Sequence, residues 1–242
     1  MGLPATYQTV IDNICTQLPA VLGENLFSCV LYGSAVRGNV VPDVSDINIL
    51  IVLNESTPDA HMAIADCIEG SVLVDPFIIA RKGMERSFKV FAIKFRSIQR
   101  NYRVLCGADP VAGFSVRDDA VRFLCEQALR NLRLRSVHNY IRNRKNHQRY
   151  LHTLLNMHTA VFTDVTEILR LAGEEVPREY RERIPAIQRY FDVDTAILDD
   201  LLTLKNNPDV WKAVDIALVH QRIFTFLNHI VMWMEQQWPI PQ

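Results

Sequence analysis

The chain has 242 residues, 49% of them hydrophobic and 22% charged, and a formal net charge of −1. That balance is globular and excludes collagen-like and low-complexity chains, while His220, Gln221, Arg222, Asn228 and His229 interrupt the most apolar helical stretch, 211–238, and exclude it as a membrane span. Near-neutrality conceals a local excess: residues 117–150 carry nine Arg or Lys against three acids, a charge of +6 that leaves −7 for the remainder.

Tyr7, Val10, Ile11, Ile14, Leu18, Val21 and Leu22 recur at helical spacing and predict an amphipathic helix ending near Gly23. A short apolar run at 27–32 closes on Gly33-Ser34 and reads as a strand, and the β-branched run 46–53, after a loop holding Gly38 and Pro42, reads as a second. Helical spacing returns between Pro58 and Gly70. Residues 71–80 then predict a third strand, with Pro76 marking an edge or a bulge. A helical segment over 84–99 leads to a fourth strand at 102–106. Beyond Gly107, Pro110 and Gly113 the apolar periodicity is helical, over 118–141, 148–172, 195–205 and 210–236, punctuated by Gly173, Pro177, Pro185 and Pro208. The expected organisation is α+β: an α/β domain with a short mixed sheet over 1–113, then an all-α helical bundle over 117–242.

Five cysteines, odd in number and widely spaced, suit free thiols in a reducing compartment, and none has zinc spacing. No leader pattern is legible at the N-terminus, and Met1–Thr6 fits the loose myristoylation pattern without the second signal that stable anchoring needs. The expected localisation is cytoplasmic, away from membranes.

The chemistry concentrates in Leu31 to Val52, LYGSAVRGNVVPDVSDINILIV. A strand ending in Gly33-Ser34 offers backbone N–H groups and a hydroxyl at a turn that an anion can approach closely, a seat for phosphate. After eleven intervening residues, 35–45, Asp46 opens the next strand, and alternation puts positions 46 and 48 on one face while Ile47 and Ile49 point into the core. Two oxygens thereby converge, as Mg²⁺ requires, and Asp75 on a neighbouring strand can complete the cluster or take a proton from an attacking hydroxyl.

At these residues the sequence resembles the nucleotidyltransferase superfamily that includes DNA polymerase beta and the aminoglycoside and lincosamide nucleotidyltransferases. The pattern of that family, Gly then Gly or Ser, a spacer, then acid-hydrophobic-acid, stands here as Tyr32-Gly33-Ser34 and Asp46-Ile47-Asn48. The resemblance implies that Gly33 and Ser34 hold the phosphates of a nucleoside triphosphate, ATP foremost, with Arg37 beside them. It implies metal at Asp46, Asn48 and Asp75, and catalytic roles for Asp46 and Asp75. The implied reaction is Mg²⁺-dependent transfer of a nucleoside monophosphate to a hydroxyl of a small-molecule or protein acceptor. The family has a carboxylate at position 48. Asn48 keeps a carbonyl ligand but removes one negative charge, which leaves three readings: an enzyme with a weakened or single metal, a nucleotide-binding or antitoxin-like module without turnover, or a structural remnant.

Arg142 and His147, four residues between them, are also similar to the Arg-x4–6-His motif of HEPN ribonucleases, and that motif is only two residues deep. The basic excess over 117–150 fits a helix end attracting triphosphate or a solvated face. Nucleic acid binding is not favoured, because no aromatic residues interleave the charges. The acids Asp192, Asp194, Asp199 and Asp200 fit a solvated loop better than a seat for a cationic acceptor, and Trp211, Trp233 and Trp238 are expected to pack the final helix onto the bundle. The residues leave homodimerisation open.

Overall fold

A computed structural model of the chain describes residues 3–37, 40, 46–69 and 74–238. It divides into two compact units, Met1–Val116 and Arg117–Gln242.

The first unit is built around a strand buried on both faces. In chain order it contains α1 (Ala5–Leu22), β1 (Leu26–Tyr32), α2 (Ser34–Arg37), β2 (Ile47–Leu53), α3 (Pro58–Ile68), β3 (Val74–Ala80), α4 (Met84–Val90), α5 (Ala92–Arg100) and β4 (Tyr102–Gly107). The strands form one mixed sheet in the order β3-β2-β1-β4, with β1 antiparallel to β2 and β4, and β2 parallel to β3. Ile47, Ile49, Ile51 and Leu53 project from one face of β2 against Tyr7, Ile11, Ile14 and Leu18 of α1. The alternate positions Leu50 and Val52 are just as buried on the other face. Each such side chain contributes about 2 kcal/mol, and a one-residue slip would exchange the two sets, so the register of β2 is strongly held. Pro76 does lie on an edge strand. The expected start of that strand at 71–73 lies outside the described residues.

The helix expected over 84–99 is broken at Phe91 into α4 and α5. Phe88 and Phe95 meet edge to face with centroids 4.6 Å apart, whereas residues seven apart on one straight helix are separated by about 10 Å along its axis. The break lets both rings join Phe77 and Phe114 in one aromatic cluster. Gly107 closes β4 at φ 80°, where a Cβ would stand 2.3 Å from the Phe27 carbonyl oxygen. On the neighbouring pair of that ladder, Cys29 and Cys106 stand opposite each other. A hydrogen bond between their thiols pushes Cys29 up and pulls Cys106 down to about 7.

The second unit contains α6 (Asp118–Asn143), α7 (His147–Leu171), α8 (Tyr180–Phe191), α9 (Ala196–Asn206) and α10 (Ile216–Gln237). Helix α8 is not legible in the periodicity because Pro185 lies inside it. Burial of Ile184, Ile187 and Phe191 outweighs the hydrogen bond that proline cannot make, and the buried Arg183 guanidinium donates to the carbonyls of Pro177 (2.8 Å) and Arg178 (2.7 Å). The final helix starts at Ile216 rather than 210, with Asp215 accepting from the amides of Ala217 and Leu218. Residues 208–213 form a 3-10 turn instead, and there the Trp211 indole donates to the Leu204 carbonyl, whereas Trp233 packs the final helix against Phe191 and Trp238, and the Arg122 guanidinium of α6 lies over the Trp238 ring. Part of the basic excess is structural: Arg130 bridges Glu126 and Glu235, and Arg133 donates to Asn228, which joins α6 to α10. The acids near 192–200 are likewise engaged, Asp199 with Arg181, Asp200 with Arg222 and Asp194 with the Ala196 amide.

Helix α7 also buries two titratable groups of opposite sense. Burial, and then the neighbouring Glu167, push Asp164 up to about 7. Burial, and then the charge of Lys205, push His158 down to about 4. Between pH 4 and 6.5 the folded state holds a proton on Asp164 that the unfolded chain has released, so this group lowers stability as pH rises. Over the same window the folded state lacks a proton on His158 that the unfolded chain binds, so that group raises stability as pH rises. The two slopes, each about 1.4 kcal/mol per pH unit, oppose each other. Asp164→Asn is therefore expected to unmask acid lability below pH 6.5, and His158→Gln the reverse slope, in denaturant titrations followed by tryptophan fluorescence. All three tryptophans belong to this unit; parallel pH profiles for wild type and both variants would show that neither burial governs stability.

Candidate active site

Strand β1 runs out at Tyr32, and the chain turns at Gly33 with φ 81°, a left-handed conformation that costs a residue with a side chain about 1–2 kcal/mol. Helix α2 starts at the next residue, closed by the Arg37 amide donating to the Gly33 carbonyl at 3.3 Å. The first amides of such a turn have no partner within it and face outward at the strand end. The sequence shows the Gly-Ser turn but not that a helical turn follows it. Arg37 ends that turn with its Nε buried and without a hydrogen-bond partner among the described residues, which distinguishes it from a solvated surface arginine.

The register of the sheet assembles the rest. Asn48 pairs with Tyr32 of β1 on one side and with Asp75 of β3 on the other. Paired residues point to the same face on strands about 4.8 Å apart, so Asp75, Asn48 and Tyr32 form a row across the end of the sheet. Asn48 also abuts the turn: a Cβ on Gly33 would lie 3.4 Å from its Nδ2. Asp46 is exposed immediately before β2, and its carbonyl accepts a 3.3 Å hydrogen bond from Asn48 Nδ2. Asp75 is exposed. Gly33 and Ser34, Asn48 and Asp75 are thus neighbours through the backbone, with Asp46 two residues upstream on the same strand path.

Two further residues belong to this place and were not singled out by the sequence. The Tyr32 hydroxyl is buried without a hydrogen-bond partner among the described residues, and burial followed by the charge of Asp75 pushes it up. Lys94 of α5 holds its ammonium 4.9 Å from the centroid of the Tyr32 ring and 5.4 Å from that of Phe77. Burial pulls Lys94 below the usual lysine range, while Asp75 acts in the opposite direction. The available signal was a single lysine inside a stretch whose neighbours Ala92, Phe95 and Ile98 are all buried.

Among the described residues no group of three His, Cys, Asp or Glu gathers to hold a metal. The donor set here is two carboxylates, Asp46 and Asp75, with the carbonyl of Asn48, whose amide nitrogen is spent on the Asp46 carbonyl. All three are hard oxygen donors, so the set fits a magnesium-like ion, with less charge than three carboxylates would supply.

Residues 15–100, which hold the turn, both aspartates, Asn48 and Lys94, match a family model described as a nucleotidyltransferase domain. That match lies wholly within the first unit. Among solved structures the chain is similar to spectinomycin adenyltransferase AAD(9) from Enterococcus faecialis, crystallised with ATP and spectinomycin. The two are 14% identical with a TM-score of 0.59, over 91% of this chain and 99% of that one, a likeness of fold. No curated protein matches the sequence. The mixed sheet followed by helices is the α+β architecture expected from the sequence, and no described helix is long and apolar enough to cross a membrane.

In the second unit, Arg142 lies exposed in the last turn of α6 and His147 opens α7. The His147 ring donates from Nε2 to the Val214 carbonyl at 3.1 Å, beside a cavity of about 470 Å³ lined by Tyr140, Arg144, Lys145 and Asp215.

The turn at Gly33 supplies a test of the backbone argument. Gly33→Asn is expected to cost least, Gly33→Ala about 1–2 kcal/mol and Gly33→Val more, following tolerance of positive φ. Denaturant midpoints followed by far-UV circular dichroism would show this order; equal losses would mean that side-chain space, not φ, constrains the position.

Proposed function

We propose that this protein transfers a nucleoside monophosphate from a nucleoside triphosphate, ATP foremost, to a hydroxyl of a small-molecule acceptor. The observation that carries the reading is the row Asp75–Asn48–Tyr32, which sets Asp75 of β3, and Asp46 immediately before β2, near the Gly33-Ser34 turn. The fold shared with an adenyltransferase crystallised with ATP and spectinomycin supports ATP as donor and a small hydroxylated acceptor. A protein acceptor uses the same chemistry, and no observation of this chain favours it.

In this reading the free amides after Gly33, the Ser34 hydroxyl and Arg37 receive the triphosphate. Asp46, Asn48 and Asp75 hold Mg²⁺, which when bound offsets the charge of the phosphates. The acceptor oxygen forms a bond to the α-phosphorus as the bond from that phosphorus to the bridging oxygen breaks, and the electron pair leaves with pyrophosphate. Asp75, exposed at the edge strand, takes the acceptor proton. Most of the acceleration comes from holding acceptor and phosphate in line beside fixed charges.

Asn48 favours a second reading, a module that binds nucleotide and turns it over slowly, because the position keeps a ligand atom and loses its charge. Pyrophosphate release from ATP with Mg²⁺, measured across hydroxylated acceptors with aminocyclitols first, separates the two. Acceptor-dependent release is expected, reduced at least about 100-fold in Asp46→Asn and Asp75→Asn, a loss on the scale of a transition-state contact. Saturable nucleotide binding with no release from any acceptor, and turnover appearing in Asn48→Asp, would assign the non-catalytic module instead.

A further inference from the structure

We propose that Lys94 is a second fixed cation that, with Arg37, receives the triphosphate in this site, carrying the phosphate charge that a second metal ion cannot readily take once position 48 is an asparagine. The inference rests on the nucleotidyl-transfer reading and adds to it a residue and a metal count.

A lysine at this place needs an explanation. Its ammonium is half-buried over the faces of Tyr32 and Phe77, and among the described residues no carboxylate stands within ion-pair distance of it. A leucine or methionine would pack the same aromatic faces without the cost of desolvating a charge, so packing alone does not account for it. The two rings hold the ammonium in one position, as cation–π contacts do, and leave its donors unspent. The Tyr32 hydroxyl beside it is likewise buried with no partner among the described residues. Two adjacent donors without acceptors, at the end of the strand that opens into the Gly33-Ser34 turn, describe a place prepared for an anion.

The charge balance points the same way. Around the row stand the carboxylates Asp46 and Asp75, the neutral Asn48, the Lys94 ammonium and, at the turn, the Arg37 guanidinium. Such a set retains one divalent ion against the phosphates far more readily than two. A fixed ammonium needs no assembly at the moment of reaction and meets the charge that accumulates on the departing pyrophosphate. Position 48 and position 94 are 46 residues apart in sequence and face each other only because α5 covers the sheet face that carries Asn48, Tyr32 and Phe77.

The test uses the full chain and α,β-methylene-ATP, which binds but cannot be cleaved at the transferred phosphorus, with Mn²⁺ counted by electron paramagnetic resonance. Wild type is expected to bind one Mn²⁺ per nucleotide. Lys94→Met, which keeps the apolar stem over the rings, should weaken nucleotide binding about 10- to 100-fold, the worth of a charge-assisted contact. Lys94→Arg should restore most of it, and Asn48→Asp added to Lys94→Met should regain affinity together with a second Mn²⁺, which also shows that the variant folds. Two ions in wild type, unchanged affinity in Lys94→Met, or a loss that neither restoration repairs would overturn the assignment while leaving nucleotidyl transfer standing. Absence of any nucleotide binding by wild type would overturn both.

Discussion

The register of β2 is the constraint on which the site depends. This strand is apolar on both faces, packed by α1 and α3 on one side and by the aromatic residues around α5 on the other. Side chains alternate with a period of two, so the packing that buries Ile47, Ile49, Ile51 and Leu53 on one face fixes Asn48 on the opposite face. Its neighbours follow from the ladder, Tyr32 on β1 and Asp75 on β3. The polar row thus stands at the end of a strand whose other positions resist any slip, which places functional groups on a rigid element and not on the loops around it.

Electrostatics then decide what the row can do. A site with three carboxylates concentrates negative charge and suits more than one divalent ion, whereas this one has two carboxylates, an amide and a nearby ammonium. Desolvation works against Lys94 while Asp75 supports it, and Tyr32 experiences both burial and the same carboxylate. Three residues from three different elements are therefore coupled through one charge. Asn48 is the pivot of that arrangement, since its amide nitrogen serves the Asp46 backbone and its own strand position lies between Tyr32 and Asp75.

The helical unit shows how a formal charge excess is absorbed. Two of the arginines that make 117–150 basic, Arg130 and Arg133, are engaged by Glu126, Glu235 and Asn228 on the bundle's own helices, and Arg122 lies 5.3 Å from the centroid of the Trp238 ring. Most of these contacts are at least partly exposed, and pairs of that kind order the surface more than they stabilise it. Near the α6–α7 turn, Arg144 and Lys145 border the cavity with His147.

The Gly33-Ser34 turn, the Asp46-Ile47-Asn48 step, the mixed α+β order and the helical second half were legible in the sequence, because each is a local pattern of spacing and alternation. Chain periodicity also gave α1 and α7 nearly to the residue, but it missed α8, where burial of Ile184 and Ile187 overrides Pro185, and it ran 84–99 together where two phenylalanine rings require a break. Lys94 was invisible to any local pattern. Its meaning arises from α5 lying over a face built by strands far away in sequence, and only the folded chain brings its ammonium over the Tyr32 ring and within electrostatic reach of Asp75. Local spacing determined which groups could do chemistry, and tertiary packing decided which of them share a dielectric environment, since charge acts through space and not along the chain.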